Sequence, residues 1–210
     1  MKKMTSYNPI IIIGMHRSGT TMLAKFISEL GVFLGSSKNR GSNHESYFFM
    51  KINKWIISQR GGRWDFPENL IFDNDIQTSL IKSHVIRTLK SHRTREFFGG
   101  KFGLYYKNLL NANFKFGWKD PRTSLLLDFW KEIYPDAKII HIYRNPIDVS
   151  NSLAVREMEM LKKYKSNFRK KYREFVFSSK PVYNQSNRLI DINQGIKVWE
   201  YYINCCLNAD

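Results

Sequence analysis

The sequence predicts an α/β fold in which a parallel β-sheet is flanked by helices. Two short runs, residues 10–13 and 137–144, have the β-branched composition of strands buried on both faces of such a sheet. Each run is followed by a segment whose apolar residues recur at helical spacing. Strands connected by crossover helices form parallel sheets, which bind ligands at the carboxyl ends of their strands. We therefore expect functional residues directly after the two strands.

The helices follow from apolar periodicity and from their start and stop signals. The first begins at Thr20 and ends at Gly31, and its apolar positions are Met22, Leu23, Phe26, Ile27 and Leu30. A second helix is predicted over residues 76–98, with apolar positions Ile76, Leu80, Ile81, Val85 and Leu89.

Three further helices are predicted in the second half of the chain. One follows Pro121 and ends before Pro135, and another opens near Pro146. The last runs almost to the end of the sequence, with apolar positions Ile192, Ile196, Trp199, Ile203 and Cys206. Its adjacent Cys205 and Cys206 are interpreted as small core residues rather than as a disulfide or a metal pair.

The first strand and the first helix are joined by a glycine-bounded loop, GMHRSG, at residues 14–19. Backbone N–H groups and the helix N-terminus converge on one anion in such a loop. In the P-loops of ATP-hydrolysing enzymes the second glycine is followed by Lys and then by Ser or Thr. In this sequence Gly19 is followed by Thr20 and Thr21. Arg17 and His16 lie inside the loop instead. The pattern predicts an anion site without ATP chemistry.

A second polar segment, YRNPIDVSNSL at residues 143–153, leaves the second predicted strand. Arg144 stands at the strand end and Ser152 follows eight residues later, about two turns into the next helix. An arginine can bind a phosphate through two hydrogen bonds, and a serine hydroxyl can complete the site. An exposed ion pair for Arg144 and an ordinary helical position for Ser152 are the alternatives.

The composition limits the classes of function. With 34 Lys and Arg against 18 Asp and Glu, the net charge is +16, which favours an acidic partner. The basic run at residues 162–175 has no accompanying nucleic-acid motif, so we interpret it as a solvated helix face and expect no nucleic-acid partner. No transmembrane segment or secretion signal is visible, and a cytoplasmic location is expected.

Together, GMHRSGTT and YRNPIDVSNSL resemble the two cofactor signatures of the sulfotransferase family that uses 3′-phosphoadenosine-5′-phosphosulfate (PAPS). The segments HESYFF, GGRWDFP and FGWKDPRTSLLLDFW are similar to bacterial members. The resemblance implies a P-loop-NTPase-like core, PAPS as co-substrate and no metal. It also implies transfer of a sulfuryl group to an acceptor hydroxyl on a carbohydrate, a lipid such as a glycolipid, or a small molecule.

The resemblance further assigns roles to individual residues. Arg17 would contact the 5′-phosphosulfate and stabilise the leaving phosphate, with donors from Ser18, Gly19, Thr20 and Thr21. Helix capping is the alternative role for the two threonines. Arg144 and Ser152 would bind the 3′-phosphate.

The base that accepts the hydroxyl proton is implied to lie in NHESYFF, where Glu45 is the first candidate and His44 the second. An ion pair between Glu45 and an arginine is the alternative. Lys119 lies 25 residues before Arg144 and is similar in position to a lysine that stabilises the transition state. Lys119, Asp120 and Arg122 could instead form an ion-pair cluster at the start of a helix.

The length of the chain favours one domain over residues 1–210, and by comparison with many family members we expect that it could lack the usual C-terminal strand and loop. An oligomer could supply that cover. Two other functions stay open at this point. One is a nucleotide kinase or NTPase of the same fold, and the other is a non-enzymatic basic module that binds polyanions through residues 162–175.

Overall fold

The computed structural model describes residues 7–37, 43–72, 74–99, 108–167, 172, 176 and 186–209. Part of the basic run at 162–175 therefore lies outside the described residues. The chain divides into two compact units, one formed by Met1–Tyr143 with Tyr201–Asp210 and the other by Arg144–Glu200. No helix in the described ranges combines the length and the hydropathy that crossing a membrane requires.

The first unit contains a parallel sheet of three described strands, β1 (Ile10–Ile13), β2 (Gly117–Lys119) and β3 (Lys138–His141), in the order β2-β1-β3. Ile10 of β1 lies opposite Gly117 on one side and Lys138 on the other. The predicted α/β class is confirmed. The expectation that the second strand is buried on both faces is wrong, because β3 is an edge strand of the described sheet and its residues are partly exposed.

Two glycines allow the strands to approach each other closely. A Cβ atom on Gly117 would lie 2.0 Å from the carbonyl oxygen of Ile10, so only glycine fits at this point of the β1–β2 pair. Gly14, directly after β1, has φ +141°, and a Cβ there would lie 2.2 Å from the carbonyl oxygen of Ile142. The end of β1 and the segment after β3 therefore meet at the loop that follows β1.

Five α-helices pack around this sheet among the described residues of the first unit: α1 (Thr20–Glu29), α2 (Tyr47–Gln59), α3 (Asp75–Lys90), α4 (Arg95–Phe98) and α5 (Leu127–Ile133). Short 3-10 helices cover Pro67–Asn69, His92–Thr94 and Pro121–Leu126. The helix predicted over residues 76–98 is confirmed as far as Lys90, but it is not continuous, because the chain breaks at Ser91 and resumes as a 3-10 helix and α4. The chain becomes extended at Ser91, whose side chain accepts a hydrogen bond from the Arg93 N–H and starts a new turn.

The core lies between the sheet and α2. The ring of Phe49 stacks on Trp118 at 4.0 Å, and Trp130 packs against both rings. Several of the apolar positions at helical spacing are exposed, namely Met22, Phe26 and Leu30 on α1 and Ile76 and Leu80 on α3. Ala24 and Ile27 turn α1 towards the sheet.

The second unit contains α6 (Pro146–Ser166), a 3-10 helix at Arg188–Ile190 and the first residues of α7 (Ile192–Leu207). Val149, Leu153 and Leu189 form its buried apolar centre. Glu157 is buried and accepts a hydrogen bond from the Ser186 N–H at 2.8 Å, which ties the two ends of this unit together. The helices predicted near Pro146 and at the end of the chain are confirmed.

Candidate active site

The loop between β1 and α1 has the backbone of an anion cradle. Gly14, Arg17 and Gly19 all have positive φ, and the value of 72° at Arg17 is uncommon for a residue with a side chain. Such a conformation persists only where the surroundings hold it, and it is concentrated at ligand sites. The Gly14 N–H donates to Ser124 Oγ at 2.9 Å, which fixes the start of the loop to the 3-10 helix after β2.

The end of the loop presents hydrogen-bond donors to a ligand. Gly19 is the N-cap of α1, and no side chain among the described residues caps this helix. The first N–H groups of a helix have no acceptor inside the helix, and this first turn carries no acidic residue. Ser18 is buried, and within the described residues its Oγ makes no hydrogen bond. A buried hydroxyl beside the N–H groups of a helix start fits an anionic ligand.

The two threonines do not cap α1 in the part of the chain that the structure describes, so the alternative role is not found there. Thr20 is buried in the first turn, and the hydroxyl of Thr21 donates to the carbonyl oxygen of Asn43 at 3.2 Å. Asn43 belongs to the segment that leads into α2, so Thr21 connects this segment to the start of α1.

Glu45 lies between two cationic side chains that extend from the end of β2. Lys119 Nζ donates to Glu45 Oε1 at 3.1 Å, and Arg122 Nη2 donates to Glu45 Oε2 at 3.2 Å. The exposed fraction of the side chain is 2% for Lys119, 7% for Arg122 and 12% for Glu45. Burial lowers the pKa of Lys119, and the charge of Glu45 opposes this shift. The structure thus brings together Glu45 and Lys119, two predicted site residues that are 74 positions apart.

The carbonyl oxygen of Asn43 lies between Lys119 and the first turn of α1, which follows the candidate anion loop (residues 14–19). Lys119 Nζ also donates to the carbonyl oxygen of Asn43, at 3.0 Å, and this oxygen is the acceptor of the Thr21 hydroxyl as well. One carbonyl therefore connects the first turn of α1 to the lysine that holds Glu45. His44, the other candidate base, lies between Asn43 and Glu45 and has a left-handed backbone with φ 56°.

A buried hydrogen-bond network that includes Asp120 and Asn53 holds Arg122 in place. Asp120 accepts from Arg122 Nε and from Asn53 Nδ2, the latter at 2.9 Å. Asn53 also donates to Thr123 Oγ1 and accepts from Trp130 Nε1. The sequence pattern did not single out Asn53. The signal that could have identified it is an amide side chain on the otherwise apolar face of α2.

The ion-pair alternatives for this cluster are thus realised in the structure. Arg122 is the arginine that pairs with Glu45, and Asp120 caps the 3-10 helix by accepting from the Arg122 N–H. An ion pair and a catalytic role are compatible, because each carboxylate oxygen of Glu45 retains a second lone pair for another donor.

The aromatic residues near the loop divide between the site and the core. His16, inside the loop, packs edge-on against the ring of Trp64 at 4.7 Å. Trp64 is half-buried, and its carbonyl oxygen accepts from the hydroxyl of Tyr202 on α7. Trp118 is buried in the core, and the neighbouring Asp65 is buried and paired with Arg63 at 3.0 Å.

Arg144 and Ser152 belong to the second unit. Arg144 precedes α6 and forms an exposed ion pair with Asp148 at 3.1 Å. Ser152 is half-buried in the second turn of α6, four residues after Asp148. Residues four apart share one face of a helix, so Asp148, which pairs with Arg144, lies on the same face of α6 as Ser152. The ion pair that was the alternative for Arg144 is therefore present.

The two adjacent cysteines of α7 form no disulfide. Cys205 and Cys206 are free thiols on α7 and are half-buried rather than core residues. Burial raises the pKa of each thiol to about 11. In the described ranges, no group of three or more His, Cys, Asp or Glu residues has a geometry that could hold a metal ion.

Comparison with known proteins identifies the family. The profile of the Sulfotransferase family matches residues 9–188, which include the anion loop, the Glu45–Lys119 pair and α6. Comparisons with curated proteins and with solved structures gave no significant match. The chain belongs to the sulfotransferase family, and its membership indicates an enzyme that transfers sulfuryl groups.

Proposed function

We propose that this chain transfers the sulfuryl group of PAPS to an acceptor hydroxyl, with Glu45 as the base. One observation carries the proposal. The Asn43 carbonyl oxygen accepts from Thr21 at the anion loop and from Lys119, which in turn donates to Glu45. We infer from these hydrogen bonds that the proposed anion site and the proposed base lie next to each other, as the reaction requires.

The residues of the loop fit a phosphosulfate group. The buried hydroxyl of Ser18 makes no hydrogen bond in the described part of the chain, and the N-terminus of α1 carries no competing carboxylate. Arg17 adds a positive charge within the loop. These groups match an anion with several acceptor oxygens, and the absence of a lysine after Gly19 argues against ATP.

In the proposed reaction, Glu45 takes the proton of the acceptor hydroxyl as its oxygen attacks sulfur. PAPS supplies the sulfuryl group and a phosphate leaving group. Arg17 and the N–H groups at the start of α1 stabilise the charge that develops on the leaving phosphate oxygen as the old S–O bond breaks. Preorganised donors of this kind usually make the greatest contribution to rate acceleration. Lys119 holds Glu45 through Oε1 and Arg122 holds it through Oε2, which fixes the direction of the carboxylate.

For the 3′-phosphate we propose Arg144 and Ser152 on the basis of family resemblance. The guanidinium of Arg144 is half-exposed and can exchange Asp148 for a phosphate, because an exposed ion pair is worth only about 0.2–1 kcal/mol. His44 remains a second candidate for the base, since it adjoins Glu45.

The test is release of 3′,5′-bisphosphate from PAPS in the presence of a panel of sugars, glycolipids and phenols, followed by ion-pair chromatography. We expect acceptor-dependent release that Arg17→Ala and Glu45→Gln each reduce strongly. Turnover of magnesium ATP that depends on Arg17, without any binding of PAPS, would instead support the kinase alternative and refute the proposal.

A further inference from the structure

A groove between α2 and the segment after α3 has no role in the site described above. Its volume is about 720 Å³, within the range of about 300–1,000 Å³ that is typical of small-ligand sites. Its residues are Phe48, Lys51, Ile52, Trp55, His84, Val85, Thr88, His92, Arg93, Arg95 and Glu96. The groove begins in the first turn of α2, three residues after Glu45.

The floor of the groove is apolar and carries one large aromatic surface. Phe48, Ile52 and Val85 are buried beneath it. Trp55 is half-buried, and its ring lies 4.6 Å from the ring of His84. An apolar floor with an indole at its edge is suited to the C–H face of a sugar ring, which stacks on aromatic side chains while its hydroxyls face outward.

The rim of the groove is cationic. Lys51 is paired with Glu96, so these two charges balance each other. Arg93 and Arg95 are exposed, and in the described ranges no hydrogen bond or ion pair engages either guanidinium. Two guanidinium groups beside an aromatic surface favour a ligand that carries carboxylates, since a guanidinium pairs with a carboxylate through two parallel hydrogen bonds.

We propose that this groove binds an acidic saccharide through stacking on Trp55 and ion pairing with Arg93 and Arg95. That this saccharide is part of the sulfuryl acceptor rests on the proposed function and on the position of Phe48, the first residue of the groove, which follows Glu45 by three positions in the chain. Its binding to the groove does not depend on the proposed function.

The test uses a matched pair of disaccharides, cellobiouronic acid and cellobiose, which differ by one carboxylate. Binding is measured by NMR titration of the whole chain at low and at physiological salt. We expect the acid to bind more tightly, and we expect Arg93→Ala/Arg95→Ala to weaken its binding about 2- to 30-fold, the effect of two exposed ion pairs.

The control is Arg87→Ala/Lys90→Ala, which removes the same charge from exposed positions on α3 that do not line the groove. It should change the affinity by less than about twofold, because only screened long-range charge is lost. Thermal melts confirm that both double variants are folded. Equal binding of the two disaccharides, or equal loss in the two double variants, would overturn the inference.

Titration with the 3′,5′-bisphosphate separates this inference from the proposed function. Both double variants should bind the bisphosphate as the unaltered chain does. If the bisphosphate binds and the acidic disaccharide does not, the groove inference fails and the sulfotransferase site stands. If only the disaccharide binds, at Arg93 and Arg95, the groove is supported and the donor site is refuted.

Discussion

Replacing Glu45 with Gln separates the charge of this side chain from its shape. Both Oε atoms of Glu45 accept from buried cations, Lys119 at 3.1 Å and Arg122 at 3.2 Å. Gln can still accept one of these hydrogen bonds through its carbonyl oxygen, but it cannot accept both. Arg122 retains Asp120 at 3.1 Å, whereas Lys119 retains the Asn43 carbonyl, which carries no full charge.

The expected cost is therefore that of one hydrogen bond between charged groups, about 2 kcal/mol of unfolding free energy. Removing one partner of a fully buried pair costs about 3–5 kcal/mol, and the remaining Asp120 places Glu45→Gln below that range. For a chain of this size the melting temperature should fall by about 4–8 °C.

The pH dependence has a defined sign. Burial lowers the pKa of Lys119, and Glu45 opposes this, so loss of the carboxylate lowers that pKa further. A lysine with a lowered pKa in the folded state binds fewer protons than in the unfolded state, which makes stability rise with pH. The deficit of Glu45→Gln should therefore shrink as the pH rises towards about 10, the ordinary pKa of a lysine.

Urea unfolding measures the stability, and PAPS turnover at a temperature where both proteins are folded measures the catalysis. If Glu45 is the base, turnover should fall about 10²- to 10⁴-fold with little change in bisphosphate affinity. The control is Glu29→Gln, which removes one carboxylate from an exposed position at the end of α1. Full turnover in Glu45→Gln would refute the base, and unchanged stability would refute the buried ion pair.

Three more outcomes are expected. Gly117→Ala should lose about 3 kcal/mol or more in urea unfolding, because its Cβ would lie 2.0 Å from a strand carbonyl. The control is Gly31→Ala, where a Cβ would meet open space but the backbone has φ +84°, and it should lose only about 1 kcal/mol. Equal losses of stability in the two variants would show that the β1–β2 pair tolerates the contact. Cys205 and Cys206, whose pKa burial raises to about 11, should react with iodoacetamide at pH 8 about 100-fold more slowly in the folded chain than in urea. Comparable rates would contradict their burial. Asp148→Asn should tighten bisphosphate binding about 2- to 5-fold in calorimetry, because it frees the guanidinium of Arg144 and removes a negative charge that would repel the phosphate. Weaker binding would argue against a phosphate site at Arg144.

The central part of the fold could be predicted because its signals are local. Four consecutive isoleucines and a glycine-bounded loop mark β1 and the start of α1, and both lie where the pattern placed them. Residues 117–119, in contrast, form β2 with a glycine and a lysine in a three-residue strand, which has no alternation and no apolar run. Its strand character comes from pairing with β1.

Other differences arise where apolar spacing alone does not determine the ends or the exposure of a helix. The apolar spacing over residues 76–98 is continuous, yet Ser91 ends α3 because its side chain forms a local turn. Helix α2 is absent from the sequence-based prediction, although Phe48, Phe49, Ile52 and Ile56 have helical spacing. The exposure of Met22 and Phe26 shows that helical periodicity identifies the apolar face of a helix but not what packs against that face.

For the site, the residue types could be predicted but their pairing could not. Glu45 and Lys119 are far apart in sequence, and only the packing of α2 against the end of β2 joins them. The pairing of Arg144 with Asp148 is a local i, i+4 contact that the sequence already contained, but nothing in the pattern distinguishes it from a phosphate site. The roles of these residues in binding and catalysis remain predictions.

The most direct test of the proposed donor site is calorimetric titration of the whole chain with adenosine 3′,5′-bisphosphate and with AMP, repeated with Arg144→Ala. Lys162→Ala removes an exposed positive charge from α6, the helix that follows Arg144, and is the matched control. We predict that the unaltered chain and the control prefer the bisphosphate about 10- to 150-fold over AMP, and that Arg144→Ala loses this preference. Equal affinity for the two nucleotides in folded protein, or a preference that survives Arg144→Ala, would contradict the assignment.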